Sequence, residues 1–328
     1  LLKSLILQFA RRPKALEREL AEWKQTPFYD EASLQKAMTQ KARFLRDNDY
    51  LHSPAIVHLE TQASCNAACV FCPYPSLERK GEKMSDELIA KVIGDLTGIP
   101  ATQTFQFAPY KVSEPFIEPR LPDILAQVNE RLPNARISLI SNGSPLTARK
   151  LDELARVRNV AYLNISLNAI DAAEYEALMQ LPFDRTVGRL DGLHAAKVGG
   201  LKFPVRLTRV SGGRDADLAF VEWVNERYPS FEPAIIPRND WIGERPSPDL
   251  AATVPDTPCH RWFDISVTAT GVVAMCCMDG EAKYPKGDVR TQHLLDIYNQ
   301  PRLLELRKSL ISRRAAGSPC DRCTYMSY

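Results

Sequence analysis

No stretch of this sequence is apolar for long enough to cross a bilayer. The longest apolar run near its start, Leu5-Ile6-Leu7, is broken by Gln8 and soon followed by Arg11-Arg12, whereas a span needs about 20 apolar residues. An excess of one charge is missing too. The 42 Lys and Arg face 40 Asp and Glu, a formal net charge of +2, so neither a nucleic-acid-binding stripe nor a polybasic membrane anchor is expected. Internal repeats and low-complexity segments are absent. A composition of 45% hydrophobic and 25% charged residues belongs to a folded chain rather than a disordered one. Eight Cys in 328 residues do not resemble a small disulfide scaffold. Their clustering points instead to metal ligation in a reducing compartment, and a cytoplasmic location is expected.

A chain of 328 residues accommodates about two domains. Residues 1–52 carry Leu, Ala, Lys, Arg and Glu at helical spacing, broken at Pro13 and Pro27, and predict two or three surface helices that preface the main domain. From residue 53 onward, six short apolar or alternating runs, 56–61, 104–108, 137–141, 161–167, 205–210 and 232–236, read as strands. Helical stretches separate them at 85–97, 122–131, 147–157, 171–179, 186–197 and 215–227, several opening on a Ser, Thr or Asp cap, with Asp171 and Glu174 spaced as a capping box. Such alternation gives parallel strands joined by right-handed crossovers, in a doubly wound sheet or a partial barrel. The strand count does not separate the two.

Side-chain parity favours the barrel. His58 and Glu60, Gln106, Ser138, Asn164 and Ser166, and Arg206 and Thr208 share one face of their strands, while Val57, Phe107, Leu139, Ile165 and Leu207 share the other. A sheet covered by helices on both sides is apolar on both faces, so one polar face indicates a curved sheet around a solvated lumen. The expected fold is therefore α/β, a partial (β/α)6 TIM-like barrel over 53–244 with the helical segment 1–52 before it. After a Pro-containing stretch, residues 245–328 predict a small α+β domain with a hairpin turning at Gly271 and a helix over 294–312.

Three Cys, Cys65, Cys69 and Cys72, follow the first strand in a Cys-x3-Cys-x2-Cys run. Three thiolates on one loop hold three irons of a four-iron cluster and leave the fourth open, whereas a structural zinc wants a fourth protein ligand and none is adjacent. This spacing, with the aromatic Phe71 before the last Cys, resembles the radical S-adenosylmethionine superfamily. Ser113-Glu114-Pro115 is similar to that family's Gly-Gly-Glu-Pro segment, with Val112 and Ser113 in place of the glycines. Ser141-Asn142-Gly143 resembles its Thr-Asn-Gly after strand three, and Ser166-Leu167-Asn168-Ala169 its Ser-x-Asp-Gly, with Asn168 replacing the usual acid. The resemblance implies that Glu114 binds the methionine amino group, that Asn142 and Ser166 meet the carboxylate or ribose, and that Phe71 lies near the adenine. Arg206 or Arg209 would neutralise the carboxylate.

A second group, Cys259-x11-Gly271-x4-Cys276 with Cys320-x2-Cys323, resembles the auxiliary-cluster extension called SPASM, or its shorter form, twitch. Gly287-Asp288-Val289 and Leu294-Leu295-Asp296-Ile297-Tyr298 fit the same extension. Four thiolates fully ligate one auxiliary four-iron cluster, and the same four suit a structural zinc. No Cys follows Cys323, so one auxiliary cluster is expected. Cys277 is left over, and a strand turns it away from Cys276. It is a candidate hydrogen-atom donor to a substrate radical or, more simply, a small buried hydrophobe. His260 and His194 read as surface or supporting residues rather than ligands, and His58 and Glu60 as substrate contacts or lumen lining.

What the resemblance implies is an enzyme that cleaves S-adenosylmethionine reductively to a 5'-deoxyadenosyl radical, supplied with electrons by a reductant such as flavodoxin or ferredoxin. The expected reaction is epimerisation or dehydrogenation of an aminocyclitol or sugar-type molecule. Modification of a peptide residue is the alternative, and a non-catalytic iron–sulfur carrier or zinc-stabilised binding module is an alternative of another class.

Overall fold

The computed structural model describes residues 31–246 and 253–326. Of the helical preface it contains α1 (Glu31–Asp47), and the rest of that segment lies outside the described residues, as does part of the 245–256 boundary. The barrel then runs β1 (Ile56–Leu59), α2 (Asp86–Leu96), β2 (Phe105–Ala108), α3 (Leu121–Arg131), β3 (Ala135–Ser141), α4 (Ala148–Ala155) and β4 (Val160–Ser166). It continues through α5 (Ala172–Met179), α6 (Phe183–Val198), β5 (Val205–Val210), α7 (Arg214–Arg227) and β6 (Glu232–Ile236).

Local chemistry sets the helix starts. Ser85 accepts the Leu88 N–H at 3.2 Å, and Thr147 accepts the Lys150 N–H at 3.4 Å, each satisfying a donor that the first turn leaves free. At α5 half of the expected capping box forms. Asp171 accepts the Glu174 N–H at 2.9 Å, but the Glu174 carboxylate turns to Arg209, also at 2.9 Å, because a buried guanidinium is the stronger donor.

Strand order decides the architecture. β1 to β6 are parallel and lie side by side in sequence order, without the reversal of a doubly wound sheet, as a partial barrel requires. Val57, Phe107, Leu139, Ile165 and Leu207 are fully buried under the helices, and the opposite face carries the polar parity set into the lumen.

Beyond β1 the sheet goes on. β7 (Asp264–Val267) pairs with β1 in parallel, and β8 (Val272–Ala274) and β9 (Gly287–Asp288) follow antiparallel, giving one nine-stranded sheet. The turn between β7 and β8 closes where the Gly271 N–H donates to the Thr268 carbonyl at 2.9 Å, with Gly271 at φ +87°, which glycine adopts freely. The single helix expected over 294–312 is two, α8 (Leu294–Tyr298) and α9 (Pro301–Ser309). Pro301 has no N–H to continue the first and is suited to open the second.

A second core forms around this C-terminal part. Met38, Ala42 and Leu45 of α1 pack with Trp262, Phe263, Leu303 and Leu306, so α1 belongs to the C-terminal module's core rather than prefacing the barrel's. Among the described residues no helix is long and apolar enough to cross a membrane.

Candidate functional site

Cys65, Cys69 and Cys72 sit on the loop that leaves β1, and two segments pack on that loop. The end of α5 accepts the Ala68 and Val70 N–H groups, at Met179 (3.4 Å) and Leu178 (3.0 Å). The segment after β6 crosses it, with Trp241 Nε1 donating to the Phe71 carbonyl at 3.0 Å and Arg245 Nε to that of Cys72 at 2.9 Å. Burial pushes the Cys65 thiol up to about 12 and raises Cys69 and Cys72 as well. Neighbouring thiols raise Cys65 and Cys69 further. Three buried thiols whose ionisation is disfavoured become thiolates together around a cationic centre, and they are the donor set an iron–sulfur cluster takes.

Glu114 lies beside this loop, its N–H donating to the Ser64 carbonyl at 2.9 Å. Its buried carboxylate accepts the Asn142 N–H at 2.7 Å, the Ser141 hydroxyl at 2.9 Å and the Phe116 N–H at 3.0 Å. Burial nevertheless raises it to about 7, because three hydrogen bonds do not replace its hydration. The Asn142 amide donates to Asn66 at 2.8 Å and lies 3.9 Å from Cys65 Sγ, which ties the end of β3 to the Cys loop. Ser166 ends β4, half-buried opposite Thr208.

Asn168, where the resemblance implies an acid, is a strut. It sits at φ +65°, accepts the Val210 N–H at 2.8 Å, and donates to Met179 Sδ at 3.0 Å. A carboxylate has no proton for that second contact, and Asn tolerates the left-handed conformation.

At the carboxyl ends of β4 to β6 a cavity of about 790 Å3 opens, lined by Phe71, Asn168, Arg209, Val210, Gly212 and Arg238, with Leu34 and Met326 on its far wall. Arg206 is not among its lining residues. It lies near the amino end of β5, where its cross-strand partner Glu232 accepts from Nε at 2.8 Å. Arg209 lines the cavity instead, fixed by Asp217 at 3.1 Å and Glu174 at 2.9 Å. Two cations, one near Glu114 and one near Lys150, carry no mark in the sequence pattern. Lys150 donates to the Phe116 carbonyl and its charge favours the Glu114 carboxylate, while Arg189 of α6, whose buried Nε has no hydrogen-bond partner, disfavours the Lys150 charge.

Glu60 is structural. Arg79 clamps it at 2.8 and 2.9 Å, and the Val112 and Ala269 N–H groups donate to it at 3.1 Å, so its four acceptor positions join β1, the loop after β2 and the β7–β8 turn. His58 has no hydrogen-bond partner at either nitrogen, and burial first, then the Arg261 and Lys111 charges, holds it neutral, down to about 3. Its ring shares one lumen corner with Asp264 and Cys277, their ligating atoms all within 4.8 Å of one another. Arg261 already pairs with Asp264 at 2.9 Å, so the charge of this group is balanced without a metal ion.

Cys259, Cys276, Cys320 and Cys323 converge on a separate small cavity with Trp262, Met275, Met278, Arg313 and Tyr325. Trp262 Nε1 donates to Cys320 Sγ at 3.5 Å, and burial pushes Cys259 up to about 12, with the Cys323 and Cys320 thiols adding to it. Cys276 faces this cavity while its neighbour Cys277 faces the lumen corner. Of the surface and supporting places expected for His260, the surface one is excluded: it is fully buried, without a hydrogen-bond partner at either nitrogen, with its ring 6.1 Å from that of Tyr325.

Two family models match this chain in tandem: the radical SAM superfamily over residues 59–217, and the iron–sulfur cluster-binding SPASM domain over residues 259–324. The chain carries a radical SAM superfamily domain followed by a SPASM domain. Its first module is of the kind that binds S-adenosylmethionine and a [4Fe–4S] cluster, and its second of the kind that binds auxiliary iron–sulfur clusters.

A curated relative, the GTP 3',8-cyclase of Paenarthrobacter nicotinovorans, is 28% identical over 176 residues, 52% of this chain and 48% of that protein, so the match spans about half of its length. Among solved structures, BtrN in complex with AdoMet and 2-DOIA is 17% identical with a TM-score of 0.57, covering 84% of this chain and 93% of that one. SuiB of Streptococcus suis bound to precursor peptide SuiA is 11% identical with a TM-score of 0.58, covering 91% and 76%. Both share the fold of this radical SAM protein.

Proposed function

We propose that this radical SAM enzyme acts on a polyhydroxylated small molecule of the aminocyclitol or sugar type, held in the barrel lumen, and that it inverts a carbon centre. The observation that carries this reading is the kind of polar group left unpartnered in the lumen. His58, Ser138, Asn164, Thr208 and Ser266 each have a buried polar atom without a partner. All are neutral. Three ion pairs take up charges around the lumen, Glu60 with Arg79, Asp264 with Arg261, and Arg206 with Glu232, and Lys111 donates to the Asp279 and Gly280 carbonyls. Buried hydroxyl, amide and imidazole groups want hydrogen-bond partners, which a polyol supplies from several faces.

In this reading Cys65, Cys69 and Cys72 hold the first cluster and Cys259, Cys276, Cys320 and Cys323 the auxiliary one. When bound, the first cluster and S-adenosylmethionine supply the 5'-deoxyadenosyl radical that removes a hydrogen atom from substrate carbon. Glu114 holds the methionine amino group, Asn142 and Ser166 the carboxylate or ribose, and Phe71 borders the adenine. The barrel wall excludes water from the reacting carbon. Cys277, at the lumen corner with His58, gives its hydrogen atom to the opposite face of the substrate radical. One electron from the external reductant and one proton then restore the thiol.

The test is anaerobic reconstitution with iron and sulfide, then incubation with S-adenosylmethionine, a strong reductant and a panel of sugars and aminocyclitols in deuterated water. Deuterium at an inverted carbon supports the proposal. A two-electron-oxidised product would replace inversion with dehydrogenation, and turnover of peptides alone would overturn the substrate class.

A further inference from the structure

Among the described residues, one of the arginines lining the four-thiol cavity has buried hydrogen-bond donors left over. Arg313 is fully buried. Its Nη1 donates to the Tyr325 carbonyl at 2.6 Å and the Cys323 carbonyl at 3.4 Å, while Nε and Nη2 are buried without a partner. The other buried arginines of this half are spent. Arg261 donates to Asp264 and Tyr325, and Arg307 to the carbonyls of Leu51, Trp262 and Tyr298. No carboxylate pairs with Arg313 among the described residues.

A guanidinium stays protonated in a protein, so this charge cannot be shed to relieve its burial. An anion must balance it. Arg313 lines the cavity on which Cys259, Cys276, Cys320 and Cys323 converge, and its charge favours ionisation of Cys259, Cys320 and Cys323.

We infer that Arg313 is the counter-cation and hydrogen-bond donor of the auxiliary iron–sulfur cluster, and that it sets the cluster's reduction potential. The inference rests on reading the four thiols as cluster ligands. A cluster held by four thiolates is anionic, and an added electron makes it more so. A fixed positive charge and N–H donors beside it therefore stabilise the reduced form over the oxidised one and raise the potential. Arg313 acts as a positioning and tuning residue, since it touches no substrate. Its consequence reaches the lumen, because Cys276 and Cys277 are adjacent and the potential on one side governs the electron traffic open to the other.

The test uses the full chain with Cys65, Cys69 and Cys72 replaced by Ala, which isolates the auxiliary site. Iron and zinc are counted, and the midpoint potential is read by an EPR-monitored redox titration. About four irons are expected per chain. Arg313→Gln should lower the reduced-to-oxidised equilibrium at least tenfold, about 59 mV for one electron. Arg313→Lys, which keeps the charge and loses the fork, should fall between. Unmoved midpoints in iron-loaded variants would overturn the inference, and if Arg313→Gln fails to hold iron, Arg313→Lys decides by the same reading. Zinc without iron in the parent protein would sink the cluster reading itself, a failure distinct from an unmoved midpoint.

Discussion

Glu114 allows a sharp test of the S-adenosylmethionine site. Raising its carboxyl from 4.5 to about 7 corresponds to about 3 kcal/mol against the charged form. The sign follows from the direction. An acid whose folded pKa lies above its unfolded value penalises the folded state fully above about 7, and the penalty is relieved as pH falls toward 4.5. A bound amino group beside the carboxylate opposes that cost and drives the proton off. At pH 6.5 wild-type protein should therefore release roughly three-quarters of a proton on binding S-adenosylmethionine, beyond what Glu114→Gln releases. Calorimetry in buffers of different ionisation enthalpy measures this. Three donors already use three of the carboxylate's four acceptor positions, leaving one for the ligand. Loss of that charge-assisted bond in Glu114→Gln should weaken binding by roughly 10- to 150-fold, from about 1.5–3 kcal/mol. Equal proton release and equal affinity in the two proteins would refute the assignment.

Removing the Cys277 thiol with Cys277→Ala should abolish solvent deuterium in the product while 5'-deoxyadenosine still forms; incorporation that survives excludes it as the donor. Glu60→Ala strands Arg79 in the interior with only Glu281, 3.5 Å away, to pair with, and should cost about 3 kcal/mol in denaturant unfolding. An unchanged midpoint would show that the clamp contributes nothing. Gly143→Ala meets both φ +79° and a Cβ placed 2.9 Å from Ile165 Cγ2, and should lose about 1–3 kcal/mol of stability. A full-stability variant would mean that the β3 turn relaxes freely.

The sequence carried much of the barrel because its signals are local. Alternating faces recur along the strands, Ser85, Thr147 and Asp171 mark three of the helix starts, and β5 and β6 begin and end where the pattern places them. Cys276 and Cys277 do face different spaces, but in the turn just past β8 rather than within a strand, so strand parity is not the cause. Pairings between distant segments left no such trace. Nothing in the apolar run before Gly271 says that it lies beside β1, or that α1 packs on Trp262 and Phe263. Arginines were the hardest to read. Arg206 and Arg209 share one strand at opposite parity, Arg189 sits in a helix that looks solvated, and Arg313 follows Ser312. Their roles come from what surrounds them in space, which periodicity does not encode. Of the two places open to His260, surface or supporting, its surroundings likewise decide for the second.

Four paired positions, from Ile56 with Asp264 to Leu59 with Val267, lace the second module to the first strand of the barrel. The spacing between the two thiol sites is thus a property of a rigid ladder rather than of a hinge. Tunnelling rates fall steeply with distance, so how fast charge can cross this protein is written into its backbone. On the reading that both thiol groups hold clusters, their separation changes only if this ladder does, and natural variation would retune the crossing chiefly through the side chains that fill the space between.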